Sequence, residues 1–157
     1  MDLLHPEFVS FIKCAAKNKL RYLLIGGYAV NYYGYNRNTQ DLDVWIAPTN
    51  ENRELFVQTM ICMKYTEQEV AHLRNENFTL PFKAAIGTAD ADIDVLTYVD
   101  IALHFDDAEK EKEVFYASED LPMNFISYEF LIKTKLKAAR PKDLWDIEQL
   151  EKLRKNK

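Results

Sequence analysis

The chain has 157 residues, 48% of them hydrophobic, and a formal net charge of −5, which is one domain's length and enough to bury roughly 70% of the unfolded surface without a disulfide or metal staple. The charge is split, −10 over residues 1–130 and +5 over residues 131–157, which excludes a uniformly basic nucleic-acid coat but allows a local basic face opposite an acidic pocket. No apolar run reaches roughly 18 residues and the first six residues lack a secretory pattern, so neither a membrane span nor a leader is expected.

Pro6 precedes apolar positions Phe8, Phe11, Ile12, Ala15 and Ala16, whose spacing predicts an amphipathic helix over 7–19. Arg21–Ile25 is a short apolar run closed by Gly26-Gly27 and reads as a buried strand. A short helix over Tyr28–Tyr33 follows, then a polar loop over Asn36–Gln40. Asp41–Ile46 alternates with period two and predicts a strand. Thr49-Asn50 opens a helix to about Met63. The polar stretch 64–77 carries no clear period. Phe78–Ile86 predicts a strand that Pro81 confines to an edge or a bulge, Gly87-Thr88 a turn, and Ala91–Val99 another strand. Residues 105–113 read as a loop or short helix and Pro122–Ile126 as a last strand. Ser127 caps a helix to Arg140, and Pro141 opens a second helix ending near Leu153. The expected class is α/β (α+β): a mixed sheet flanked by helices with a C-terminal helical hairpin, in one domain whose core covers about 20–126 and whose helix pair covers about 127–154.

Cys14 and Cys62 have no metal-ligand spacing and read as reduced thiols of a cytoplasmic protein; His5, His72 and His104 are scattered and make no zinc cluster. The chemistry gathers between Gly26 and Ile46. A glycine pair between a strand and a helix lets a ligand approach the backbone amides, where a phosphate is favoured. Fourteen residues after Gly27, Asp41-x-Asp43 puts two carboxylates on one face of a strand. They repel unless a cation lies between them, and oxygen ligands of this kind suit Mg²⁺. Asp92 and Asp94 share one face of a later strand. One of them would supply a third carboxylate, either for a two-metal site or to take a proton from an attacking hydroxyl.

Strand, Gly-Gly, helix, a loop with Arg37 and Thr39, then Asp41-Leu42-Asp43 and a third acid is an order of parts that resembles the nucleotidyltransferase superfamily, the fold of polymerase beta and small antibiotic nucleotidyltransferases. The stretch Leu24–Val30 with Gly34, Arg37, Thr39, Asp41 and Asp43 is most similar to the AbiEii-like abortive-infection toxin branch. So is the run Lys135, Ala138, Arg140, Lys142, Asp143 and Asp146. The resemblance implies a Mg²⁺-dependent, cytoplasmic enzyme that moves a nucleoside monophosphate from an NTP such as ATP to a hydroxyl or phosphate of an RNA, protein or small-molecule acceptor. Asp41, Asp43 and Asp94, with Asp92 the alternative, would hold two Mg²⁺ and carry catalysis. Gly26, Gly27, Arg37, Thr39, Lys135 and Arg140 would bind the nucleotide. It also implies a partner protein of the antitoxin kind. Tyr28 departs from the pattern, standing where many members carry Ser.

Two other readings stand beside this one: an antibiotic-modifying nucleotidyltransferase, and a non-catalytic module that binds nucleotide or a partner. Lys133, Lys137 and Lys142 read as solvent-facing charges. Trp145 reads as core between the two C-terminal helices, and half or more of the tyrosines Tyr28, Tyr32, Tyr33 and Tyr35 as cover for the sheet. The polar stretch before Asp41 argues against a phosphatase built on Asp-x-Asp, which needs an apolar strand there.

Overall fold

Residues 5–88 and 90–156 are described by the structure, a computed structural model. Helix α1 (Pro6–Lys17) starts where His5 Nδ1 accepts the Glu7 N–H. Strand β1 (Tyr22–Ile25) runs into α2 (Gly26–Tyr32), and β2 (Leu42–Ile46) leads to α3 (Asn50–Cys62), capped by the Thr49 side chain. The polar stretch after it folds into α4 (Glu67–Val70) and a 3₁₀ turn over Ala71–Asn75. Next come β3 (Lys83–Thr88), β4 (Ala91–Leu96), α5 (Phe105–Lys110), β5 (Glu113–Tyr116) and β6 (Pro122–Phe125). Helices α6 (Tyr128–Ala138) and α7 (Pro141–Lys155) close the chain.

The six strands form one sheet in the order β3-β4-β2-β1-β6-β5. The pairs β2–β4 and β1–β6 are parallel; β1–β2, β3–β4 and β5–β6 are antiparallel. The expected mixed sheet flanked by helices, with a helical hairpin at the end, is therefore present. Alternation decides what each face does. Ala91, Ile93 and Val95 of β4 are buried with Leu42 of β2, and Phe8 and Ile12 of α1 close over Leu42 and Met123. Asp92, Asp94 and Leu96 point the other way and are half-buried. Buried Asn52 ties α3 to the sheet: it accepts the Arg21 N–H at 3.0 Å and donates to the Arg21 and Ala47 carbonyls.

Several expectations are corrected. Strand β3 begins at Lys83, not Phe78, because Pro81 has no N–H to give a ladder. The Phe82 N–H instead goes to Thr97 Oγ1 at 2.8 Å. Gly87 and Thr88 lie within β3 rather than in a turn. Strand β4 ends at Leu96, where Thr97 leaves the ladder to bond Phe82 and Leu80. The expected loop or short helix over 105–113 resolves into α5 and the start of β5, an edge strand whose four residues are all exposed and so carry no burial pattern. Helix α6 stops two residues early, with Ala139 in the left-handed region at φ 50°.

Cys14 and Cys62 are joined in a disulfide, not held as separate thiols. Their α1 and α3 backbones pack side by side and bring the Cα atoms to 5.7 Å, within bridging range. A separation of 48 residues hides that proximity from the sequence.

Candidate functional site

The parallel register of β2 and β4 sets Asp43 directly opposite Asp94, with Leu42 opposite Ile93. Partners in register point to the same side, so both carboxylates leave the sheet on the face that α1 does not cover. Asp41 stands one residue before β2 and is exposed; Asp92 is two residues before Asp94 on the same face. Of the two candidates for third carboxylate, Asp94 is therefore the one abreast of Asp43. Burial raises the Asp43 carboxyl to about 6, and the charges of Asp94 and Asp41 add to the rise. The Asp94 carboxyl is raised as well, first by burial and then by Asp41 and Asp92.

Gly26 lies against this group. A side chain there would overlap Asp43 Oδ2, and the residue sits at φ 67°, so glycine is required on two counts. Gly27 faces the loop instead: a Cβ on it would come within 2.7 Å of Thr39 Oγ1 and 3.1 Å of Arg37 Nη2. Thr39 Oγ1 donates to the Asp41 carbonyl at 3.3 Å, and Asn31 Oδ1 takes the Arg37 N–H at 2.7 Å, which together shape the approach to β2.

The cationic residues expected at the nucleotide each meet a carboxylate of α7. Lys135 is 6% exposed and bonds Asp146 at 2.9 Å and Asp143 at 3.5 Å. Arg37 Nη1 donates to Asp146 Oδ2 at 2.6 Å, and Arg140 Nε to Asp143 Oδ2 at 2.6 Å. Burial works to raise the Asp143 carboxyl, but the hydrogen bond from Arg140 and the charge of Lys135 hold it below the ordinary range. All three expected nucleotide-binding cations thus anchor α7. Asp146, 1% exposed, keeps one oxygen, Oδ1, without a hydrogen-bond partner among the described residues.

A cleft of about 300 Å³ runs between the sheet and the α6–α7 hairpin, lined among others by Gly26, Asp43, Lys83, Lys135, Arg140 and Lys142. A second, of about 380 Å³, opens on the β3 side over Asp43, Lys83, Ala85 and Asp94. Lys83 and Lys142 make no ion pair among the described residues, and the Lys142 charge lowers Asp43 from across the cleft. Lys83 was not visible as a site residue, because only the β3–β4 register brings it to this face. Asp143 and Asp146 had a signal: they stand three apart after Pro141, on one face of α7.

No protein-family model and no curated protein matches the chain. What the site can do therefore rests on its own donor set. That set is carboxylate oxygen only, which suits a hard divalent cation such as Mg²⁺. Among the described residues no three His, Cys, Asp or Glu side chains form a finished cage, so the acids are a row, not a closed chelate.

Trp145 is corrected from core to surface: it is 53% exposed and its indole N–H donates to Tyr35 Oη at 2.8 Å. The four tyrosines Tyr28, Tyr32, Tyr33 and Tyr35 all lie in or against the core. Tyr28 packs edge-on against Phe8, and Tyr32 stacks on Phe125 at 4.1 Å.

Proposed function

We propose that the protein is a nucleotidyltransferase of the polymerase-beta-like fold, moving a nucleoside monophosphate from an NTP to a hydroxyl or phosphate acceptor. The observation that carries this reading is the in-register pair Asp43–Asp94, with the Gly26 backbone pressed against Asp43 at the head of a cleft that cationic side chains line on its far wall. Asp41, Asp43 and Asp94 would hold Mg²⁺, which, when bound, supplies charge neutralisation for the phosphates. Asp94 accepts the proton of the attacking hydroxyl. Gly26 lets the Asp43 carboxylate lie against the backbone at the head of the cleft. Lys142 faces the phosphates from α7, while Lys135, Arg37 and Arg140 fix that helix and the Arg37–Asp41 loop through Asp143 and Asp146. RNA, protein and small-molecule acceptors all fit this chemistry, and the resemblance in sequence suggests an AbiEii-like toxin with a protein partner as the biological setting.

The test is incubation with each NTP labelled at the α-phosphate, Mg²⁺ and a cell lysate. Label enters an acceptor with release of pyrophosphate, chelation stops it, and Asp43→Asn and Asp94→Asn each abolish it. Full transfer by Asp43→Asn sinks the metal assignment.

A further inference from the structure

Lys83 opens β3, an edge strand, and stands opposite Leu96 in the β3–β4 register. Two residues on, Ala85 stands opposite Asp94, which stands opposite Asp43. Lys83 therefore rises from the carboxylate face, one alternation step from the Asp43–Asp94 row, a rise of roughly 7 Å. A lysine side chain spans most of that distance. No acid pairs with it among the described residues, in contrast to Lys135 and Arg140. The two clefts at this face have different walls. One is walled by Gly26 and the α6–α7 hairpin, the other by Ala84, Ala85, Asp94 and Val95; Asp43, Lys83 and Leu96 line both.

We propose that Lys83 is a catalytic residue that contacts the phosphoryl group in transit. The inference rests on the nucleotidyl-transfer reading. With the NTP in the cleft beside Gly26 and the acceptor in the cleft beside Asp94, the α-phosphate lies where the clefts meet. The acceptor oxygen bonds to the α-phosphorus and its proton passes to Asp94. The bond from that phosphorus to the oxygen bridging to the β-phosphate breaks, and pyrophosphate departs with the electron pair. Negative charge grows on the non-bridging oxygens during this step, and an ammonium that reaches them and is not already neutralised by an acid stabilises it. The competing role is that of an edge-strand lysine that deters pairing with another sheet.

The experiment measures two quantities in wild type, Lys83→Gln, Lys83→Arg and the surface control Lys152→Gln. One is single-turnover label transfer from each α-labelled NTP, with clarified lysate as acceptor source. The other is calorimetric binding of the matching α,β-methylene NTP with Mg²⁺. Lys83→Gln is expected to slow transfer about 10²–10³-fold, the range for removing one preorganised charge donor. Its analogue affinity stays within about threefold of wild type, as a transition-state contact requires. Lys83→Arg recovers part of the rate, and Lys152→Gln matches wild type. Transfer by Lys83→Gln at the wild-type rate, or a loss explained wholly by weaker analogue binding, overturns the proposal while leaving nucleotidyl transfer intact. A wild-type protein that does not transfer label removes the reading and the proposal together, and analogue binding without transfer leaves only a nucleotide-binding module.

Discussion

Asp43 and Asp143 both line the cleft, and the two groups of aspartates to which they belong live under opposite conditions. Asp143 and Asp146 of α7 are almost fully buried, yet each is met by cations: Lys135 and Arg140 for the first, Lys135 and Arg37 for the second. Asp43 and Asp94 are less completely covered, and their carboxyls are raised first by burial and then by neighbouring acids, Asp94 and Asp41 for the first, Asp41 and Asp92 for the second. Burial alone does not make an acid costly; lack of a compensating partner does. The α7 acids therefore read as structural joints that tie the hairpin to the Arg37 loop. The sheet acids make no ion pair among the described residues and only the more distant charges of Lys142 and Arg37 act on Asp43, the condition expected where an outside cation or a proton is to be received.

The largest effect that would break this contrast is on the structural side. Lys135→Met leaves Asp143 and Asp146 with one cation each, and should lower unfolding free energy by about 3 kcal/mol, the lower end for a broken buried ion pair. Urea denaturation measures it; a loss under about 1 kcal/mol would mean that the pair is not holding the hairpin. The Cys14–Cys62 link between α1 and α3 is a second joint. Reducing it, or Cys14→Ser with Cys62→Ser, should cost about 2–4 kcal/mol through the freedom returned to the unfolded chain. Thermal melts with and without reductant read this directly.

The sheet side predicts a pH dependence of opposite character. The Asp43 carboxyl titrates near 6 in the folded protein and near its ordinary value, about 4, when unfolded. Between those values the folded state binds more protons, so stability rises as pH falls from 7 toward 4, by about 1–2 kcal/mol from this residue. Asp143, held low, contributes the reverse and loses its stabilisation only on further acidification. Asp43→Asn should reduce the rise to the part that the raised Asp94 carboxyl supplies and leave the acid-side fall. A stability curve with the same rise in Asp43→Asn assigns it to another group. The smallest effect sharpens the picture of the hairpin itself. Ala139 sits at φ 50°, where glycine is unstrained, so Ala139→Gly should stabilise by about 1 kcal/mol. A neutral or destabilising melt shift would show that the turn gains from its Cβ.

Much of this was legible in the chain because it is local. Alternation in Ala91–Leu96 gives a strand with its acids on one face, and Ser127 and Pro141 place the ends of the hairpin helices. The positive φ at Gly26 goes with a strand turning at once into a helix, whereas the closeness of Asp43 to it comes from strand pairing. What was not legible depends on which segments become neighbours. Trp145 looked like core because apolar bulk predicts burial on average, but the helix face it occupies is left to solvent beside Tyr35. Strand β5 gave no periodic signal because it is an edge with both faces wet. Lys135 and Arg140 looked like ligands for an anion, and the chain supplies its own anions for them from one turn of α7.

The sequence by itself determined the class of fold, the positions of the carboxylates and glycines, and the sign of charge at each end of the chain, since each follows from side-chain period, backbone permissiveness or composition. Only the tertiary structure decided that Asp94 rather than Asp92 stands beside Asp43, that Cys14 meets Cys62, and that Lys83 shares a face with the acids while Lys135 does not remain available. Those outcomes depend on strand register and helix docking, in which a shift of one residue reverses every side chain, and no run of residues carries that information alone.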